Sequence, residues 1–281
     1  MFRKTGRGNL FETEAEGLRR LAVAARDVSF IKIPRVFGAK NHEFIEMECL
    51  NLLSSSADRL DNIRLLARAM QTIHSAPAMN EDTGALSPFG FPLPGQCGAL
   101  RHPNNCEGKR CDWVEFFIEN RLGYQLHVLE YNTPSRNRTV QQVIDLTKRV
   151  VSGIGELFEG KGVHRENIVP SLLHGDLWEG NWGVISGDDG RKKIALFDPA
   201  PFYGHFEYDF GIGSMFGGPV GKDFYQEYFA SSQSAAPGFE ERVLVYSLFH
   251  HLNHMNIFGA DAYGRGALRT LESIVDRVKG M

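Results

Sequence analysis

The chain has 281 residues, 42% hydrophobic and 23% charged, with a formal net charge of −3. Such a length gives one large domain or two modest ones with a real core, and the near-neutral charge provides no global field for nucleic acid or an anionic membrane. Apolar runs fall short of the ~20 residues of a membrane span, the start Met1-Phe2-Arg3-Lys4-Thr5-Gly6 lacks a signal-peptide core, and Cys49, Cys97, Cys106 and Cys111 contain no C-x-x-C pair, so they read as reduced thiols of a cytoplasmic protein.

In chain order, Lys4 precedes a segment, Phe11 to Ala25, that fits an amphipathic helix. Phe11, Leu18 and Leu21 recur at helical spacing, and Glu12, Glu14 and Glu16 come early. Pro34 to Gly38 and Glu43 to Cys49 read as short strands around a turn at Ala39 to His42. Helical periodicity returns from Ala57 to His74. Residues 75 to 111 carry Pro77, Pro88, Pro92, Pro94 and Pro103 and read as a long loop, of the kind that is functional or mobile. Trp113 to Tyr131 and Val140 to Phe158 follow as long helices.

Ser171-Leu172-Leu173 reads as a strand, and Trp182 to Ser186 with Lys193 to Phe197 as a hairpin across Gly187-Asp188-Asp189-Gly190. The remainder is helical: His205 to Met215, Asp223 to Ala230, Phe239 to Ile257 and Arg265 to Lys279. The expected class is α+β, with a small sheet-bearing lobe at 1–50 and a larger, mainly helical lobe at 51–281.

The strand, the hairpin and the loop between them hold the chemistry. In His174-Gly175-Asp176-Leu177-Trp178-Glu179-Gly180-Asn181, Asn181 falls five residues after Asp176, and Asp198, in Phe197-Asp198-Pro199, falls 22 after it. Phosphoryl transfer from a nucleotide needs a carboxylate facing the attacking hydroxyl and oxygen ligands for the magnesium on the phosphates. The spacing matches H-x-D-x-x-x-x-N followed by an aspartate at a strand end. Asp176 is then the base, and Asn181 and Asp198 the metal ligands. The bland reading is a side-chain-stabilised turn and a strand cap.

His174 is expected to brace the loop and Asp209 to anchor it. Lys4 with a helix acid fits a phosphate-gripping ion pair, although a lysine near a terminus is commonly just solvated. His250 and His254 lie four apart on one helix face, open to a metal, to the wall of a sugar pocket or to a satisfied structural network. Trp178 and Trp182 flank the loop, with core packing the default for both and stacking on the substrate the alternative.

HGDLWEGN, LFDPAPFYGHFEYDFGIGSMFGG and YSLFHHLNHMNIFG, with FETEAEGLRRL, MECLNL, IHSAPAMNEDTGALSPFGF and DWVEFFIENRLGYQL, resemble the fructosamine kinase (ketosamine 3-kinase) family over nearly the whole chain. The resemblance implies a protein-kinase-like two-lobe fold and ATP-dependent, magnesium-dependent phosphorylation of a ketosamine 3-hydroxyl. The product breaks down to release the amine, which on proteins reverses glycation. It also implies that Lys4 grips phosphates with Glu14 as partner, Glu12 remaining open. Met47, Glu48 and Cys49 belong to the lobe-connecting segment whose backbone meets adenine. Tyr203 and His205, in Phe202-Tyr203-Gly204-His205, are specific to the family.

The implied partners are ATP and a free or protein-bound ketosamine, on a monomer or homodimer. Two departures stand out. The family's glycine-bearing phosphate loop precedes its lysine strand, so about 25 to 35 family residues are expected to be absent before Lys4, with weakened activity as the expected result. Arg101-His102-Pro103-Asn104 replaces a glutamine-before-asparagine pattern, so sugar preference does not transfer. The rival readings are another small-molecule kinase of the aminoglycoside or choline class and a non-catalytic pseudokinase module.

Overall fold

The computed structural model describes residues 1–54, 58–78, 88–105, 112–132, 137–159, 163–230 and 235–277. The chain opens with β1 (Phe2–Thr5), α1 (Phe11–Ala24), a two-residue β2 (Ile31–Lys32), β3 (Val36–Lys40) and β4 (Phe44–Met47). β1, β4 and β3 form an antiparallel sheet in that order, with Phe2 opposite Met47 and Lys4 opposite Ile45. α1 buries Phe11, Ala15, Leu18 and Leu21, one stripe at helical spacing. It also buries Thr13 and Glu14, polar residues that an inward face excludes unless they are partnered.

β3 has the five residues expected of it but lies two positions later, β4 is shorter than its expected span, and the turn moves to residues 41–43, with His42 at φ 66. β2 is too short for any periodicity to reveal. It pairs in parallel with β9 (Lys192–Leu196), Ile31 opposite Ile194. β8 (Trp182–Ser186) completes this sheet on the other side of β9, so a segment from the first 50 residues is built into the sheet of the 182–196 hairpin.

The remaining helices are α2 (Arg59–Ser75), α3 (Trp113–Phe117), α4 (Tyr124–Asn132), α5 (Arg138–Gly153), α6 (Tyr208–Gly213), α7 (Lys222–Tyr228), α8 (Phe239–Phe258) and α9 (Ala260–Arg277). The long helix expected at 113–131 is interrupted by six residues of π-helix at Ile118–Gly123, and α5 tightens into a 3₁₀ turn at Ile154–Phe158. α9 begins five residues before the expected start and α6 is a short core of its predicted span. Part of the proline-rich loop folds as a hairpin of β5 (Gly95–Cys97) and β6 (Leu100–His102). Cys106 and Cys111 lie outside the described residues. Among those described, Cys49 and Cys97 are free thiols and no helix is long and apolar enough to cross a membrane.

An aromatic core joins the helices to the last two strands, β7 (Ser171–Leu173) and β10 (Phe202–Gly204). Trp113 is fully buried, stacks near Phe116, Phe117 and Phe202, and donates from Nε1 to the Tyr246 hydroxyl at 2.9 Å. The buried Arg242 guanidinium clamps both oxygens of Glu207 at 2.7 and 2.8 Å, tying α8 to the start of α6. This two-bond geometry compensates the desolvation of both charges.

Candidate active site

β7 and β10 pair antiparallel, Leu173 opposite Phe202, and this register decides where the chemistry sits. The chain leaving β7 through His174-Gly175-Asp176 runs beside the chain entering β10 through Asp198-Pro199-Ala200, joined by Ala200 N–H donating to the His174 carbonyl at 2.9 Å. Gly175 has φ +79, and a Cβ there would lie 1.8 Å from the Ala200 oxygen. Only glycine permits both this dihedral and this approach. Asp198 also holds a left-handed backbone, φ 56, immediately before Pro199. Such a conformation costs about 1–3 kcal/mol and persists only where neighbouring structure enforces it.

Asp209 fastens the loop from behind. Its Oδ2 accepts from His174 N–H at 2.8 Å and its Oδ1 from Gly175 N–H at 2.7 Å, while His74 Nε2 lies 3.0 Å from Oδ2. The Tyr228 hydroxyl, 2.9 Å from His74 Nδ1, fixes that ring in turn. His174 braces the same turn: Nε2 lies 3.0 Å from the Phe197 carbonyl, and Nδ1 accepts from Asp176 N–H at 3.3 Å. Burial lowers the His174 pKa, so the imidazole is neutral and can donate from one nitrogen and accept at the other.

Asn181, at the mouth of β8, links the two aspartates. Its Nδ2 donates to the Asp176 backbone oxygen at 2.9 Å, to Asp176 Oδ2 at 3.0 Å and to the Asp198 carbonyl at 3.3 Å. From the other side, Lys4 Nζ donates to Glu14 Oε2 at 3.0 Å and to Asp198 Oδ1. Glu12 instead pairs with Asn41 on the surface, accepting from its Nδ2 at 2.8 Å. The helix period explains the difference: residues two apart face different sides of α1, so only one of the two acids can turn towards Lys4.

Lys4, Glu14, Asp176 and Asp198 line one cavity of about 320 Å³. Three carboxylates there share one lysine. Burial, reinforced by the charge of Asp198, raises the Asp176 carboxyl to about 7. Burial and Asp198 likewise raise Glu14 to about 7, against the opposing pull of Lys4. Burial lowers the Lys4 pKa, but Glu14 and Asp198 more than offset it and the net direction is upward. This excess of negative charge suits a divalent cation, and the Asp198 carboxylate and the Asn181 amide oxygen are of the donor type that could hold magnesium.

The sequence reading missed the other wall of the cavity, Gln96, Gly98 and Ala99 of the β5–β6 hairpin together with Thr13. Gln96 Oε1 accepts from Leu10 N–H at 2.7 Å, and Thr13 Oγ1 donates to the Pro94 carbonyl at 3.0 Å, pinning the hairpin to α1. A Gln-Cys-Gly turn among prolines was the signal present in the sequence.

Several expected residues stand apart from the cavity. Met47 is buried at the end of β4, and Cys49 is exposed. Glu48 accepts from Lys32 Nζ at 2.6 Å and from Arg35 N–H at 3.2 Å. The Tyr203 hydroxyl accepts from Arg20 at 3.1 Å, and His205 Nδ1 lies 2.8 Å from the Tyr246 hydroxyl in the core. His254 turns its Nδ1 back to the His250 carbonyl at 2.7 Å, so the two histidines do not converge as a ligand pair. Core packing holds for Trp182, 5% exposed, but not for Trp178, which is 46% exposed because the loop carries it outward.

The description "fructosamine kinase" belongs to a family model that matches residues 3–277. The chain belongs to the fructosamine kinase family. A protein-ribulosamine 3-kinase, chloroplastic, of Oryza sativa subsp. japonica is 32% identical over 275 residues, spanning 96% of this chain and 70% of its own length. The solved structure of a putative fructosamine-3-kinase from Thermobifida fusca superposes with a TM-score of 0.72 at 25% identity, covering 97% of this chain and 82% of that one. An ethanolamine kinase from Plasmodium vivax, 15% identical, covers 96% of this chain and 74% of its own at a TM-score of 0.58, a likeness of fold alone. The family's fold here is protein-kinase-like.

Proposed function

We propose that this protein transfers the γ-phosphoryl group of ATP to the 3-hydroxyl of a ketosamine. The observation that carries the reading is the convergence of Lys4, Asp176 and Asp198 on one cavity, with Asn181 bonded to both aspartates. Family membership supplies the substrate class.

Asp176 faces the acceptor hydroxyl and orients it in line with the γ-phosphorus. The hydroxyl oxygen bonds to phosphorus, the bond to the β–γ bridging oxygen breaks, ADP departs, and Asp176 takes the hydroxyl proton. A carboxyl raised to about 7 is a better proton acceptor than an ordinary aspartate and is half ionised near neutral pH. Lys4, oriented by Glu14, holds phosphate oxygens. Asn181 and Asp198 would hold magnesium, which would neutralise charge developing on the phosphates. Lys4, paired with both Glu14 and Asp198, is the cation placed to meet the phosphate oxygens.

The test is ADP release with ribulosamines and fructosamines set beside choline, ethanolamine and an aminoglycoside, with and without magnesium. Magnesium-dependent turnover of ketosamines, lost by ~10²-fold or more in Lys4→Met, is the expected result. Turnover confined to the amino alcohols or the aminoglycoside would move the chain to a sibling activity. Saturating Mg-ATP should also raise the unfolding free energy, by ~2.7 kcal/mol at 100 times Kd. No turnover and no thermal shift would make it a non-catalytic module.

A further inference from the structure

Beside the cavity, Cys97 of β5, Asp176 of the loop and His250 of α8 meet from distant parts of the sequence. The Cys97 sulfur, an Asp176 carboxylate oxygen and a His250 ring nitrogen all lie within 4.8 Å of one another. His250 is fully buried, and neither of its ring nitrogens has a hydrogen-bond partner. Leaving a buried polar group unpaired is destabilising, and phosphoryl transfer makes no use of this one.

Cys97 and His250 sit on regular elements, β5 and α8, and Asp176 on the loop whose two preceding backbone N–H groups donate to Asp209. Asn253, one turn beyond His250 on α8, donates from Nδ2 to the Cys97 carbonyl at 3.3 Å and accepts from Gln125 Nε2 at 3.0 Å. Burial keeps the His250 pKa well below its ordinary value, which leaves a neutral imidazole with a free lone pair. Burial, with the charge of Asp176, pushes the Cys97 thiol well up, so the sulfur carries its proton. Gln96 and Gly98, on either side of Cys97, line the same cavity as Asp176.

We propose that Cys97, Asp176 and His250 form a site for a thiophilic divalent cation, zinc above all, separate from the magnesium position at Asn181 and Asp198, and that filling it inhibits phosphoryl transfer. Zinc bonds of ~2.0–2.3 Å set tetrahedral ligand atoms ~3.5 Å apart, so side-chain rotation has to close the present separation by little more than ~1 Å. Thiolate and imidazole select zinc, whereas magnesium demands oxygen ligands, so the two ions do not compete for the same set. On binding, the Cys97 S–H bond breaks, its electron pair forms the sulfur–metal bond and the proton passes to buffer. His250 and Asp176 each donate a lone pair, leaving a fourth position for water. Asp176, once bound, is no longer free to accept the substrate proton. The inhibitory half of the proposal rests on the role given to Asp176 above; the binding half does not.

The test separates the halves. Cobalt(II) is titrated into the intact chain without nucleotide, following the thiolate-to-cobalt absorption band. The band should saturate at one equivalent, vanish in Cys97→Ser and persist in Cys49→Ser. His250→Gln should weaken binding by ~100-fold or more, because even partners outside the coordination sphere are worth ~10–100-fold. Should Cys97→Ser fail to fold, His250→Gln and Asp176→Asn carry the same measurement. No band, or a band surviving Cys97→Ser, overturns the site. Zinc should then stop ADP release by the parent chain and spare Cys97→Ser. Cobalt binding without inhibition by zinc overturns the inhibitory half, and a chain with no turnover at all still leaves the cobalt titration to decide the site.

Discussion

Asp209→Asn tests how the catalytic loop is held. The carboxylate takes three contacts in a fully buried setting: Gly175 N–H at Oδ1, and His174 N–H and His74 at Oδ2. An amide has one oxygen. In its better orientation that oxygen keeps the two Oδ2 contacts, and the NH₂ faces the Gly175 N–H, donor against donor. One buried N–H is then orphaned at about 1–3 kcal/mol, and the surviving bonds lose the benefit of an ionised acceptor, together roughly 2–5 kcal/mol. At about 2–4 °C per kcal/mol this corresponds to a fall in Tm of roughly 4–20 °C. Because the released N–H belongs to Gly175, the residue immediately before Asp176, kcat should also fall, with a 1 Å displacement of Asp176 worth ~10²-fold. Thermal denaturation with steady-state ADP release measures both, and KM for ATP should move little. A Tm within about 1 °C of the parent together with an unchanged kcat would refute the anchoring argument.

Asp176→Asn should cut kcat by ~10²–10⁴ while nucleotide binding, followed by thermal shift, is largely retained. Its effect on stability runs the other way. The folded state holds the Asp176 proton more tightly than the unfolded chain, pKa about 7 against 3.8, so stability is lost as pH rises from about 4 to about 7. The variant should therefore gain more in Tm at pH 8 than at pH 5, and an equal gain at both would show that the carboxyl is not raised. The acid limb of kcat/KM should fall off below about pH 7, where the base is protonated. Gly175→Ala, forced to φ +79 with its Cβ 1.8 Å from the Ala200 oxygen, should lose ~3 kcal/mol or more of stability by denaturant titration.

Much of this site was legible in one dimension because its parts are close in sequence. Asp176 and Asn181 share a single turn, and the hairpin that returns the chain to Asp198 is marked by alternating strands and a glycine-bounded turn. The residues offered three early acids for Lys4, the resemblance named Glu14 and left Glu12 open, and in the fold Glu14 is the one that meets Lys4. What stayed hidden depends on long-range pairing. Two residues of β2 carry no periodic signal, yet their parallel contact with β9 fixes how the first 50 residues join the rest. Gln96 and Cys97 sat in a proline-rich stretch that read as loop, and only docking against α1 and α8 brought Gln96 to the cavity and Cys97 beside it. Trp178 and Trp182 look equivalent on paper, but one points to solvent and the other into the core.

By itself, then, the sequence determined the His174-to-Asn181 motif, its spacing from Asp198 and the helical character of the second half, since these follow from local periodicity and residue chemistry. The tertiary structure alone decided which distant groups meet: Lys4 with Asp198, Asp209 behind His174, His250 beside Cys97 and Asp176. The reason is that such contacts are set by strand register and helix docking, which sum many small burial and hydrogen-bond terms over the whole chain and leave no mark at any one position.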